Sequence, residues 1–191
     1  MHKHCKPGIA LIQLVIGIAI LVIVGTQVAP NLFRRVPLYQ RKQFASLLNS
    51  AANELWIRSL ETGNPHKVIF NIENRTITVE EKTKDEDDDG NALFKKIITS
   101  SFGEKYEWSD QFEVRSFFVE GVDELSQHSA SSTIGDVWFF IIPNGMAQEV
   151  VINMIDRKDI NNDSEGKEMS LVLNPFRVQF DVYEEFITPL T

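Results

Sequence analysis

Residues 6–30 read KPGIALIQLVIGIAILVIVGTQVAP, and this stretch decides what kind of protein the chain is. No charged side chain occurs from Pro7 to Phe33, and the run from Ile9 to Val24 is almost entirely aliphatic residues and glycine. Extended to Ala29, the run reaches about 20 residues, the length with which a helix spans a bilayer. The stretch therefore predicts a membrane-spanning helix over residues 9–33. Basic residues flank this helix on both sides, so the distribution of positive charge does not predict which end of the helix faces the cytoplasm.

The composition of the chain limits its function classes. The chain has 191 residues, a net charge of −8 and a single cysteine, Cys5. The part after the apolar stretch is long enough for one domain with one core. An acidic chain is a poor partner for nucleic acid, because phosphate neutralisation requires Lys and Arg. With one cysteine, the chain can form neither an internal disulfide nor a thiolate metal site.

The residues around the apolar run argue against an ordinary secretory signal, which places its cleavage site after the run. The candidate site there is Gln27-Val28-Ala29 followed by Pro30, and neither Gln nor Pro suits it. A small residue stands instead before the run, at Gly8. Cutting after Gly8 would leave the apolar helix on the mature protein, with a new amino group on Ile9.

This arrangement resembles the class III leader of type IV pilins and type II secretion pseudopilins. The resemblance rests on Lys6-Pro7-Gly8 followed by Ile9-Ala10-Leu11-Ile12-Gln13-Leu14-Val15-Ile16. It implies a leader over residues 1–8, cleavage between Gly8 and Ile9 by a prepilin peptidase, and methylation of the new amino group. It also implies a helix kink at Pro30, since proline donates no helix hydrogen bond and crowds the preceding turn.

One position departs from the family pattern. Pilin-like proteins carry Glu at the fifth mature position, where it is thought to pair with the amino terminus of a neighbouring subunit, but here that residue is Gln13. Gln forms hydrogen bonds without offering a charge, and it is less costly than a carboxylate to bury in lipid. Gln13 is therefore the candidate assembly position, and it argues against an abundant repeating subunit. The alternative to the whole resemblance is an ordinary single-pass anchor with a Pro-Gly step by chance.

A second helical pattern follows the apolar stretch. Apolar residues recur at three- and four-residue spacings between Leu38 and Leu60, with polar residues on the other face. This spacing predicts that residues 34–62 continue the helix in amphipathic form. Thr62-Gly63-Asn64-Pro65 ends the pattern, with Gly63 placed as a C-cap.

From residue 63 onward the pattern is typical of strands. Runs at 67–72 and 76–79 flank Glu73-Asn74-Arg75 and predict a hairpin. Pro143-Asn144-Gly145 predicts a turn between two strands. Further strands are predicted at 93–99, 111–119, 137–142, 148–155, 169–173 and 176–183, with long polar loops at 85–91 and 126–135.

The order of these pieces resembles the H-type minor pseudopilins of type II secretion, the GspH/FimT-like group. The segments that carry the resemblance are ETGNPHKVIFNIENRTITV (61–79), VWFFIIPNGMAQEVVINMID (137–156) and FRVQFDVYEEF (176–186). The implied fold is α+β and pilin-like, with a long N-terminal helix, membrane-spanning in its first half, packed on an antiparallel β-sheet domain. In that scheme residues 63–191 form a β-rich periplasmic domain. The family carries no catalytic residues.

Two oxygen-rich stretches are weak candidates for a metal site. Asp85, Asp87 and Asp89 precede Gly90 as in a calcium-binding loop, but Lys96 stands where such a loop requires its closing carboxylate. The stretch is therefore expected to be a solvated acidic loop, without a metal or other cofactor. The second stretch contains Asp159, Asn161, Asp163 and Glu165 but no glycine at the position that a calcium loop requires.

No catalytic motif is present in the sequence. His66 and His128 are far apart and have no local acidic or thiol partner, and the nucleophile-elbow, zinc-protease and phosphate-loop patterns are missing. The tryptophans Trp56, Trp108 and Trp138 are expected in the core or the sheets and not in a ligand cage. These observations argue against an enzyme.

The sequence as a whole predicts a minor pseudopilin of a type II secretion system. Its expected partners are the prepilin peptidase, other pilin-like subunits or exported cargo, and the bacterial inner membrane through its N-terminal helix. One alternative is a type IV minor pilin for fibre assembly or DNA uptake, which the acidic segment DVYEEFITPLT (181–191) disfavours. Another is a membrane-tethered periplasmic enzyme, for which no catalytic set is visible.

Overall fold

The computed structural model describes residues 7–86, 90–128, 135–159 and 166–189; within the first range, side chains are described for residues 13–22 and from residue 38 on. The chain divides into two units, Met1–Tyr39 and Gln40–Thr191. Helix α1 spans Pro7–Thr62 and contributes to both units. Among the described residues, no helix is both long enough and apolar enough to cross a membrane.

The second unit is α+β, as predicted, and its strands are short. The strands are β1 (His66–Asn71), β2 (Thr76–Glu86), β3 (Ala92–Ile97), β4 (Tyr106–Glu107), β5 (Phe112–Val119), β6 (Val122–Asp123), β7 (Asp136–Ile142), β8 (Met146–Ala147), β9 (Val150–Asp156), β10 (Lys167–Asn174) and β11 (Gln179–Tyr183). A short helix, α2 (Glu124–His128), follows β6.

These strands form two antiparallel sheets. The six-stranded sheet has the order β3-β2-β1-β7-β8, with β4 paired to β2 beside β3. The five-stranded sheet has the order β11-β10-β9-β5-β6. Every pairing between named strands is antiparallel in the described residues, which agrees with the fold class predicted from the sequence.

The core lies between the sheets and the part of α1 that starts at Gln40. Side chains at helical spacing line one interior space with residues from both sheets: Leu48, Ala51, Ala52 and Leu55 from α1, Val68, Phe70, Phe139 and Ile141 from one sheet, and Phe180 from the other. Each fully buried aliphatic or aromatic side chain contributes about 1.5–3 kcal/mol relative to its exposed state. The amphipathic spacing read from the sequence thus marks the face of α1 that packs on the sheets.

The predicted turns are present and have the backbone that their residues favour. Gly63 ends α1 at φ 70°, and its N–H donates to the Ser59 carbonyl at 3.0 Å, as expected of a C-cap. The β1–β2 hairpin turns through Arg75 at φ 53°. Gly145, at φ 82°, closes the turn that starts after Ile142.

Several predicted boundaries were wrong. Asp85 was expected in a loop, but it lies in β2, which extends to Glu86 because β3 pairs along it past an irregularity in register. Residues 176–178 were expected in a strand but belong to a turn over 175–178, in which the Val178 N–H donates to the Asn174 carbonyl. The strand predicted at 148–155 corresponds to β9, which begins two residues later at Val150, and the two-residue strand β8 precedes the predicted range.

Candidate processing site and assembly surface

The predicted cleavage position lies in the first turns of α1. Gly8 and Ile9 have helical backbone, since α1 begins at Pro7. The side chains of Ile9 and Pro30 are not among those that the structure describes. The backbone of α1 continues through residue 30. Cleavage after Gly8 and the kink at Pro30 therefore stay predictions from the sequence.

The predicted assembly position, Gln13, is exposed on α1 within the first unit. The large aliphatic residues that follow it are more than half exposed, namely Leu14, Val15, Ile16, Ile18, Ile20, Leu21 and Val22. Gly17 lies among them, and a Cβ placed there would meet no atom within 4 Å. A contiguous exposed apolar surface of this kind marks a site of association with lipid or with other protein.

The outer face of the six-stranded sheet carries a partly exposed aromatic surface. We call it the aromatic–lysine face; it consists of Lys67, Phe94, Trp138 and Phe140. The Lys67 ammonium lies 4.3 Å from the centroid of the Trp138 ring, which is 42% exposed, and the Phe94 and Phe140 ring centroids are 5.8 Å apart. Such a cation–π contact contributes about 0.5–1 kcal/mol at an exposed site, and the rings leave apolar area free for a partner.

A buried ion pair that the sequence did not reveal lies at the Gln40 end of the second unit. The Arg41 side chain is buried, and its Nη2 lies 2.9 Å from Asp159 Oδ2 while its Nε lies 3.7 Å from Asp156 Oδ2. Asp156 is fully buried and accepts the Lys158 N–H. Because removing one partner of a buried pair leaves an uncompensated charge, this cluster constrains how α1 and the end of β9 fit together.

The predicted histidines are not brought into a catalytic arrangement. His66 is fully buried in β1, opposite Glu81 of β2, and neither ring nitrogen has a hydrogen-bond partner in the described part of the chain. Burial lowers the pKa of His66 below its ordinary value, with Arg58 acting in the same direction and Glu81 opposing it. His128 ends the short helix α2.

The Glu81 carboxylate next to His66 is held by neighbours from α1 and the loop after it. Asn64 Nδ2 donates to Glu81 Oε1 at 3.1 Å, and Arg58 Nη2 lies 3.4 Å from Oε2. Burial raises the pKa of Glu81, but the Asn64 hydrogen bond and the His66 and Arg58 charges outweigh it, so the net pKa is below the ordinary value. This cluster joins the end of α1 to the hairpin and has the character of a structural contact.

Only part of the set of candidate metal ligands lies within the described residues. Asp85 lies in β2, whereas Asp87 and Asp89 lie outside the described residues, as do Asn161, Asp163 and Glu165. No group of three His, Cys, Asp or Glu side chains suited to a metal ion occurs within the described ranges. Asp159 is instead a partner of Arg41. The three aspartates of the acidic stretch remain weak candidates from the sequence.

The tryptophans occupy three different environments. Trp108 is buried in the core, and its indole N–H donates to the Phe112 carbonyl at 3.3 Å. Trp56 is half-buried in α1 beside the Gly145 turn, and Trp138 belongs to the aromatic–lysine face. The expectation that they are core or sheet residues is confirmed: Trp108 lies in the core, Trp56 packs against it and Trp138 lies in β7.

Comparison with known proteins gives solved structures and nothing else: no family model and no curated protein sequence matches the chain. The chain is similar to two structures of the minor pseudopilin EpsH from the type II secretion system of Vibrio cholerae. The first structure is 11% identical to this chain in sequence, and the match covers 75% of this chain and 95% of the chain in that structure, with a TM-score of 0.48. The second is 10% identical, and the match covers 76% of this chain and 99% of the chain in that structure, with a TM-score of 0.42.

Proposed function

We propose that this chain is a minor pseudopilin of a type II secretion system, or a closely related minor pilin, and that it acts as an assembly subunit and not as an enzyme. The observation that carries the proposal is the Lys6-Pro7-Gly8 motif at the start of a helix whose aliphatic side chains from Leu14 to Val22 are exposed. A cut after Gly8 keeps that helix on the mature protein. Its apolar surface then requires lipid or other helices around it.

In this proposal a prepilin peptidase removes residues 1–8, and residues 9–33 anchor the protein in the bacterial inner membrane. Moving an apolar helix from lipid into a bundle of helices changes little hydrophobic free energy, so close packing and polar contacts decide the transfer. Gly17, with open space around it, allows a neighbouring helix to approach closely. Gln13 supplies one neutral hydrogen-bonding group for that contact.

The second unit supplies the periplasmic contacts in this proposal. Its aromatic–lysine face offers a rigid sheet surface with exposed Trp138, where truncation of an aromatic side chain is commonly costly to binding. In this proposal the aromatic–lysine face binds other pilin-like subunits or cargo. Truncating Trp138 to alanine is therefore expected to weaken partner binding without loss of the buried core.

Processing is the direct test of the proposal. Mass spectrometry of the protein extracted from membranes should give Ile9 as the first residue, with an N-methyl group on its amine. Gly8→Val should block the cut, because a branched side chain does not fit a site shaped for glycine. Gly17→Val is the matched control: it changes another glycine of the same helix, nine residues away, and should be processed like the wild type.

Two results would contradict the proposal. An intact Met1 in the membrane-extracted protein would show that no leader is removed. A first residue near Pro30 would show that the apolar run itself is the signal and that the apolar segment is not retained.

A further inference from the structure

A row of three polar side chains crosses the five-stranded sheet. Ser116 of β5, Asn153 of β9 and Ser170 of β10 stand directly opposite one another in the register. Asn153 is 4% exposed and Ser170 is fully buried, and the residues next to each of them in the strand are apolar. A buried amide in such a place is costly unless its hydrogen bonds are made.

The row makes those hydrogen bonds with the main chain of residues 184–189. Asn153 Nδ2 donates to the Ile187 carbonyl at 3.0 Å, and the Ile187 N–H donates to Asn153 Oδ1 at 3.2 Å. Ser170 Oγ accepts the same N–H at 3.1 Å and lies 2.6 Å from the Glu185 carbonyl. One side-chain amide thus pairs with both polar groups of one backbone residue, as a neighbouring strand would.

The three side chains of the row also contact one another within the sheet. Asn153 Nδ2 also donates to Ser116 Oγ at 2.8 Å, and Ser170 Oγ lies 2.5 Å from Asn153 Oδ1. The side chains are therefore held in place by their own strands. A receptor that is already arranged in this way loses little conformational entropy when it binds an extended chain.

The segment that occupies the row is weakly attached. Glu184, Glu185 and Phe186 are exposed, and Ile187 is half-buried. Its other anchor is an ion pair at the surface, in which Lys167 Nζ lies 2.6 Å from Glu184 Oε2. Segments with few buried side chains open at low free-energy cost, so this one can leave while both sheets persist.

We infer that the row Ser116–Asn153–Ser170 is a docking site for an extended polypeptide segment of a partner protein, and that residues 184–189 occupy it in the free chain. The site forms hydrogen bonds with a backbone N–H and C=O, so different side chains are compatible with the anchored residue. Proline is not compatible there, because it has no backbone N–H. Lys167 adds a preference for an acidic residue three positions before the anchored one. This inference does not depend on which fibre or secretion system the chain serves.

The test uses a fluorescent peptide of residues 183–189, YEEFITP, and measures its anisotropy with the chain kept in mild detergent. A chain shortened to residues 1–183 has an empty row and should bind the peptide. The full-length chain should bind it at least about tenfold more weakly, because its own segment competes at a high effective concentration.

Two methylated peptides show whether the backbone is read. N-methylation at Ile187 removes the N–H that Asn153 and Ser170 accept and should weaken binding about tenfold or more. N-methylation at Phe186 is the matched control, because the Phe186 N–H makes no hydrogen bond within the described residues. A Glu184→Lys peptide should bind more weakly, and the loss should shrink at high salt.

If the shortened chain does not fold, the full-length chain is folded first and then cut after Tyr183 at an engineered protease site. The cut segment should then exchange with the labelled peptide. The inference is overturned if the two methylated peptides bind equally well, or if the shortened chain binds no better than the full-length one. A nicked chain that never takes up the labelled peptide overturns it as well.

Discussion

At Gly166 the backbone leaves no room for a side chain. Its φ is 89°, and a Cβ placed there would lie 2.6 Å from the Asp156 carbonyl oxygen and 2.7 Å from Ile155 Cγ2. Gly166→Ala should therefore lower the free energy of unfolding by about 3 kcal/mol or more, since it adds steric overlap to an unfavourable φ. Urea unfolding of residues 38–191 measures this.

Gly63→Ala is the matched control for that substitution. Gly63 has a φ of 70°, but a Cβ there would meet nothing within 4 Å, so only the backbone strain remains. Its cost should be about 1–2 kcal/mol. Equal losses for the two substitutions would show that the β9–β10 connection relaxes around the new methyl group.

The buried His66 should make stability depend on pH. Its pKa in the folded protein is lowered from 6.5 by burial, so the unfolded chain binds more protons below that value. Stability is therefore fully present above pH 6.5 and is lost as the pH falls from there towards the folded pKa, by up to about 1.4 kcal/mol per pH unit. Urea unfolding at pH 7.5 and pH 5.5 should show the decrease.

His66→Leu separates this titration from the others. Leu keeps the site apolar and removes a ring whose nitrogens have no partner in the described part of the chain. The variant should lose most of the pH dependence between 7.5 and 5.5, where Glu81, with its lowered pKa, does not titrate. A slope unchanged from the wild type would assign the effect to other groups.

At the scale of elements, one amide joins α1 to β11. Asn49 Oδ1 accepts the Phe180 N–H at 2.6 Å, and Asn49 Nδ2 donates to the Phe180 carbonyl at 3.0 Å. Asn49→Ala leaves two main-chain groups without these partners and should cost about 1–3 kcal/mol. Asn53→Ala, one turn later at an exposed position, should have almost no effect. Equal effects in chemical denaturation would show that water replaces the amide.

Elements with a strong internal pattern could be predicted from the sequence. The helix over 38–60 and the β1–β2 hairpin follow from periodicity and turn residues alone, and both are present. β4 and β6 have two residues each, too few for a pattern, and exist because β2 and β5 lie beside them. The extent of β2 likewise depends on its pairing with β3, which local charge does not encode.

At the scale of the whole molecule, the candidate processing site is local in sequence and the polar contacts are not. Lys6-Pro7-Gly8 and Gln13 can be recognised because the motif is contiguous. The pairs Arg41–Asp159 and Asn49–Phe180 join residues more than a hundred positions apart. Nothing near Asn153 indicates that its amide will meet Ile187. Such contacts depend on the order of the strands in the sheets, and that order is known only once the whole fold is known.

The last prediction concerns how many copies of the chain a fibre holds. Gln13 offers a neutral hydrogen bond of about 1 kcal/mol, roughly half of what a charge-assisted one contributes. Under the proposed function, we expect that a subunit added once relies on its β domain, whereas a repeating subunit would need the carboxylate at every step. We expect residues 38–191 to bind partner pilin domains without polymerising, and the full-length protein to be scarce in sheared fibres by quantitative mass spectrometry.

Gln13→Glu should raise the share of this protein among the subunits of sheared fibres, and Gln13→Ala should not. If the wild-type protein is the most abundant subunit, the minor-subunit hypothesis is wrong.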